Sequence, residues 1–209
     1  MRRVWLALAV CTLLPLLLGC GGETESGSQV PVGGQTADEL NSYVQAVKRQ
    51  YKAYQRLLRI AGKRYDKSLG GPSETDDMDQ ILDEVAATRL AGECRQFSDL
   101  NYATGYFRHS LQRLPASDIP EQLRQAHRVL IEGLKIREAG QLKMFYALDP
   151  QWTWDDVLKP GPRERKYMHA SRAFDRAYKK SDAMIGTWRD LVASEGRQFG
   201  IQPPDFQLP

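Results

Sequence analysis

From residue 36 onward, apolar and aromatic side chains recur at alternating intervals of four and three, the period of one helix face. The first such seam is Leu40, Val44, Val47, Tyr51, Tyr54, Leu58, Ala61 and Tyr65. Thr36 supplies an N-cap hydroxyl and Glu39 a carboxylate three residues on, the pattern of a capping box. Gly70-Gly71-Pro72 stops the helix, since glycine and proline both end helical runs.

A second helix starts at Ser73 or Thr75, with Glu74, Asp76, Asp77 and Asp79 where the helix dipole favours anions. Its stripe runs Leu82, Ala86, Leu90, Glu93 or Cys94, Phe97, Leu100, Thr104, Phe107, Leu111 and Leu114, and Pro115 ends it. A third is expected from Asp118 as cap, with Pro120 in the first turn and Glu121 completing a capping box. Its stripe reads Leu123, His127, Leu130 and Ile131, Leu134, Glu138, Leu142, Phe145 and Leu148. Gly133 and Gly140 weaken this helix by about 1 kcal/mol each relative to Ala, unless they admit a neighbouring helix at close range.

Residues 149–162 form a longer connection holding Trp152 and Trp154. Gly161 and Pro162 open a fourth helix along Tyr167, Ser171, Phe174, Tyr178, Ser181, Ile185, Trp188 and Val192. No run alternates as a strand does. The expected fold is all-α: an antiparallel up-down-up-down four-helix bundle over residues 36–202, about 45 Å long, with an extended tail at 203–209.

Charge adds detail. Residues 48–67 carry eight Lys/Arg and one acid, Asp66, so the basic end of the first helix is expected beside the acidic start of the second. The run Arg163, Arg165, Lys166, Arg172, Arg176, Lys179 and Lys180 on the fourth has no such neighbour and is the better candidate for an anionic envelope component. The formal charge of the whole chain is only +3, too small to imply nucleic acid.

The beginning of the chain is of another kind. Met1-Arg2-Arg3 is a short positive segment, and Val4 to Leu18 is apolar apart from Thr12 and Pro15. That stretch is short for a membrane span, which needs about 20 residues, and it ends Leu17-Leu18-Gly19-Cys20. These residues resemble the lipobox of bacterial lipoprotein signal peptides. The resemblance covers only this segment. It implies cleavage before Cys20, a diacylglycerol on the Cys20 sulfur and acylation of the freed amine. One acyl chain holds a protein marginally, whereas two or more hold it stably. Gly21 in place of Asp implies an outer-membrane destination, facing the periplasm, in a Gram-negative host. Residues 1–19 are then the signal peptide. Residues 20–35, rich in Gly, Ser, Glu and Thr, are a lipidated flexible tether.

On this reading Cys11 leaves with the leader and Cys20 is consumed by lipid. Cys94 remains as a lone thiol, expected to be buried. Candidate chemistry is sparse. The polar seam residues Glu93, Glu138, His127, Thr104 and Ser181 are candidates for a buried polar layer. Counting from the turns puts His127, Thr104 and Ser181 at one height, and Glu93, Glu138 and Ser171 or Arg172 at another, with Tyr51 close by. Di-metal bundles want Glu-x-x-His on paired helices; Arg124 precedes His127 at that spacing and Lys166 precedes His169. Cys-x-x-Cys, phosphate-loop and Gly-x-Ser-x-Gly patterns are absent from the sequence.

Trp152 and Trp154 are candidate partner-binding residues, because Trp is enriched among interface anchors. The expectation is a non-enzymatic, lipid-anchored envelope scaffold or interaction module, with no cofactor beyond the lipid on Cys20. Its partners would be the membrane and an envelope protein or cell-wall component. A small-ligand or metal-binding bundle in the periplasm is the alternative, with an enzyme behind it.

Overall fold

A computed structural model describes residues 36–68, 78–206 and 208. The expected signal peptide and tether, the Gly70-Gly71-Pro72 stop and the expected start of the second helix lie outside the described residues. By its contacts the chain divides into Met1–Gly34 and Gln35–Pro209, and every described residue belongs to the second unit.

That unit is all-α. Its helices are α1 (Ala37–Ser68), α2 (Met78–Ala87), α3 (Ala91–Gln112), α4 (Arg124–Ala147), α5 (Trp154–Leu158) and α6 (Pro162–Gly196). Among the described residues there are also three short 3-10 turns, at Ala116–Asp118, Glu121–Leu123 and Arg197–Phe199. The long helices pack α1 on α3, α3 on α4 and α4 on α6. Among the described residues no helix is long and apolar enough to cross a membrane.

The start of α1 forms as its sequence dictates. Glu39 N–H donates to Thr36 Oγ1 and Thr36 N–H to the Glu39 carboxylate, each at 3.2 Å. Leu40, Val44, Val47, Tyr51, Tyr54 and Ala61 are buried, with Tyr43 beside them. These α1 side chains, Ala61 apart, join Phe107 and Leu111 of α3, Leu130 and Leu134 of α4, and Ile185, Trp188 and Val192 of α6 in the main core.

The expected second helix is two helices. The chain leaves helical geometry at Thr88–Leu90, because its backbone pairs with the Trp loop instead. Leu90 N–H donates to Trp152 O at 2.9 Å, Trp154 N–H to Thr88 O at 3.3 Å, and Arg89 bridges Thr153. No glycine or proline marks this break.

The expected cap at Asp118 does not form either. Ile119, the residue before Pro120, is extended, as proline demands of its predecessor. One 3-10 turn, Ala116–Asp118, precedes it and another, Glu121–Leu123, follows; α4 begins only at Arg124, and no side chain caps it. Asp118 accepts from the neighbouring Ser117 hydroxyl.

Gly133 and Gly140 do sit where a helix comes close. A Cβ on Gly140 would lie 2.7 Å from Ala177 Cβ, and one on Gly133 would lie 3.2 Å from Met184 Cβ. The bare backbone of α4 is what lets α6 pack this tightly.

Past α6 the chain turns back. Gly200 adopts φ +67°, a left-handed conformation that glycine takes without a Cβ clash. The tail then returns along the core, with Ile201, Phe206 and Leu208 packed against it. The Phe206 ring stacks on Trp188 at 4.9 Å and meets Tyr51 at 4.8 Å and Phe107 at 5.7 Å. The segment expected as an extended tail therefore supplies one wall of the core.

Candidate functional site

The polar interior is built mainly from α4. Its buried seam runs Leu123, His127, Leu130, Leu134, Arg137, Gln141, Met144 and Leu148 in unbroken four-three spacing. The sequence reading leaves that register after Leu134, following the apolar Leu142 and Phe145 onto the next stripe. Leu142 is exposed and Glu138 is at the rim, while Arg137 and Gln141 lie fully inside.

Arg137 carries the interior charge. Its Nε donates to Ser181 Oγ at 3.3 Å, and a terminal nitrogen pairs with the Asp182 carboxylate. The guanidinium also lies 4.0 Å over the Tyr178 ring, a cation–π contact. Gln141 Nε2 donates to Tyr178 Oη at 2.7 Å. Burial raises the Tyr178 hydroxyl, and the Gln141 hydrogen bond and the Arg137 charge partly offset that.

Nearby, Tyr54 Oη and Thr104 Oγ1 are buried and interact, yet neither meets the geometry of a formed hydrogen bond. Burial pushes the Tyr54 hydroxyl up to about 12. Gln141 Oε1 is also buried without a partner. Three polar atoms therefore stand unsatisfied around the Arg137 region, where native interiors seldom leave any.

His127 lies in a separate layer, ten residues or about 15 Å along α4 from Arg137. Trp188 Nε1–H donates to Tyr43 Oη at 2.9 Å. The Tyr43 hydroxyl donates to His127 Nδ1 at 3.1 Å, and His127 Nε2–H donates to Leu111 O at 3.2 Å. A carbonyl only accepts, so the Leu111 bond places a proton on Nε2, and in the neutral ring Nδ1 is the acceptor. Burial lowers the His127 pKa and outweighs the Leu111 bond, which raises it. Burial likewise raises the Tyr43 hydroxyl.

The two expected layers therefore regroup. Thr104 and Ser181 belong with Tyr54 and Arg137, and His127 is apart from them. Glu93 and Glu138 do not meet. Glu138 pairs with Arg108 at 2.7 Å and faces Gly105, twelve residues along α3 from Glu93, or about 18 Å. Glu93 accepts from Tyr65 Oη. That contact, after burial, holds the Tyr65 hydroxyl up at about 12. Tyr51 stands with Phe107 and Phe206, not with Glu93. Ser171 is half-buried and Arg172 exposed on α6. Among the described residues no group of three or more His, Cys, Asp or Glu is placed to hold a metal ion.

Trp152 and Trp154 are half-buried rather than presented. Both pack against Leu90, Cys94, Leu148 and Val157, and Trp154 meets Tyr167 edge-on at 6.0 Å. The short helix α5, which begins at Trp154, is capped by Thr153 and Asp156 in a capping box. Arg163 and Lys166 lie 5.2 and 5.3 Å over the Trp152 ring. Cys94 is buried in the same cluster, and burial raises its thiol above the ordinary value, with the Asp149 and Glu93 charges adding to it.

A groove of about 420 Å³ opens outward between α3 and α4, lined by Asn101, Tyr102, Tyr106, His109, Arg113 and Glu138 among others. Tyr102 is 65% exposed and Tyr106 is 44% exposed. Sequence reasoning passed over these tyrosines because they fall off the core stripe. Their signal was an i, i+4 aromatic pair on an otherwise polar face. No protein-family model, curated protein or solved structure matches the chain.

Proposed function

We propose that this chain is a non-enzymatic, lipid-anchored scaffold of the cell envelope. Its four long helices run up-down-up-down, and it is held through Cys20 at the outer membrane facing the periplasm. One observation carries the interaction role: Tyr102 and Tyr106 stand exposed on either side of Gly105 in a groove of about 420 Å³, on a rigid helix pair. Large exposed aromatics grouped on one face favour partner binding. The arrangement inside supports the scaffold role. Arg137 ties α4 to α6, Tyr65 and Glu93 tie α1 to α3, and the Tyr43–His127 bond ties α1 to α4. These groups brace helix against helix instead of facing an open cleft.

The test is photo-crosslinking in cells from a probe at position 102. A single envelope partner whose capture is lost on Tyr106→Ala supports the reading, with Glu93→Gln, away from the groove, tolerated. Trp152→Ala probes the cation-flanked indole edge as the rival contact face.

The small-ligand alternative draws on the unsatisfied Tyr54, Thr104 and Gln141 atoms. Native mass spectrometry of the Gln35–Pro209 unit decides it. An added mass that is lost on denaturation supports a bound ligand, and a clean protein mass supports the scaffold.

A further inference from the structure

The outermost line of α6 is a stripe of cations. At 100° per residue, Arg165, His169, Arg172, Arg176 and Lys179 fall within about 60° of the pole directly opposite the helix's buried face, and Lys180 lies about 75° from it. That face holds Ala170, Ser181, Ile185, Trp188 and Val192. All six pole residues are exposed. They span sixteen residues, or about 22 Å of helix from first to last.

None of the stripe's Arg and Lys residues takes part in an ion pair among the described residues. Of the acids of α6 nearest to them, Glu164 and Asp182 lie about 85° from the pole and Asp175 about 65°, all on the flank opposite Lys180. Asp182 is further committed inward to Arg137. The Arg163 guanidinium, off the stripe, is taken by Asp156.

A complementary ligand must therefore be anionic, and the shape of the stripe selects among anions. The pole of a helix is convex. It offers no groove to hold a polymer chain, but it can lie along a flat surface over its whole length. We propose that this face of α6 docks on the headgroups of an anionic phospholipid bilayer, laying the body along the membrane. The inference goes beyond the scaffold reading, and its test omits Cys20, so the two can fail separately.

The test uses the Gln35–Pro209 unit, which carries its own core, and vesicles of phosphatidylcholine with or without about one third phosphatidylglycerol. The unit is expected to bind only the anionic vesicles and to release at high salt, because surface charges are screened. A basic residue at such a surface contributes about fivefold in affinity. The triple variant Arg172→Glu, Arg176→Glu, Lys179→Glu should bind about a hundredfold more weakly, or worse. The charge-matched variant Lys52→Glu, Arg56→Glu, Lys63→Glu on α1 should bind as the parent does. Helicity measured alongside excludes misfolding, and the three Gln substitutions at 172, 176 and 179 repeat the test more mildly. Equal binding to neutral vesicles would overturn the proposal, as would equal losses in the two triple variants. Tighter binding to free polyphosphate than to vesicles would assign the stripe to a linear polymer instead.

Discussion

The guanidinium of Arg137 is wholly enclosed, yet the carboxylate of Asp182 that pairs with it is 62% exposed. The pair spans α4 and α6 and delivers counter-charge from the rim to the interior. Removing one member of a buried pair strands the other, at about 3–5 kcal/mol when both are enclosed. Here water reaches one side, so Asp182→Ala should cost about 2–4 kcal/mol. Arg137→Met keeps the volume and removes the charge, and should be close to neutral. Denaturant melts of both variants check this. Exposure alone would predict the reverse order.

Gly140 and Ala177 set the approach of α4 to α6. Gly140→Ala gains about 1 kcal/mol of helix propensity but places a Cβ 2.7 Å from Ala177 Cβ. Overpacking of this kind costs about 1–3 kcal/mol, so the net effect should be destabilising by about 1. Gly140→Ala combined with Ala177→Gly moves the small residue to the facing helix and should recover most of the loss. A double-mutant cycle by thermal melting measures that coupling.

His127 makes stability depend on pH. Its folded pKa lies below the ordinary 6.5, because burial disfavours the charged ring and outweighs the Leu111 bond, which raises it. The unfolded chain therefore takes up the proton first as pH falls. The contribution is fully present above about pH 6.5 and is lost as pH falls through the lower folded value. Stability should decline from pH 7.5 toward pH 5, about the range in which an ordinary histidine titrates. His127→Gln should flatten that decline while lowering stability throughout. Urea titrations of parent and variant across this range give the slope directly.

The returning tail is part of the core. Phe206 meets Trp188, Tyr51 and Phe107 but is only half-buried. Phe206→Ala should cost about 2–3 kcal/mol, below the full 3–5 of an enclosed phenylalanine. Trp188 fluorescence should shift toward that of a wetter indole.

Much of this architecture was legible in the chain. The Thr36–Glu39 cap, the α1 seam and the Gly161-Pro162 start of α6 are local signals that the packing leaves intact. What escaped was set by tertiary partners. Arg137 and Gln141 hold inward positions that hydrophobicity assigns to the surface, and they can do so because Ser181 and Asp182 engage Arg137 and Tyr178 accepts from the Gln141 amide nitrogen. The break at Thr88–Leu90 carries no helix-breaking residue, since its cause is the Trp152–Trp154 backbone far along the chain. The layers of polar residues were misaligned because α4 starts later than its apparent cap at Asp118. Glu93 and Glu138 were drawn together for that reason, and each has its own partner instead.

The most direct test of the central claim, a lipid-anchored body, is the intact mass of the protein produced in a bacterium with its own leader and extracted in detergent. We expect a chain beginning at Cys20 that carries a diacylglycerol and an amide-linked acyl chain. A Cys20→Ser variant should lack both. A chain that still begins at Met1, or one cut elsewhere with an unmodified Cys20, would contradict it.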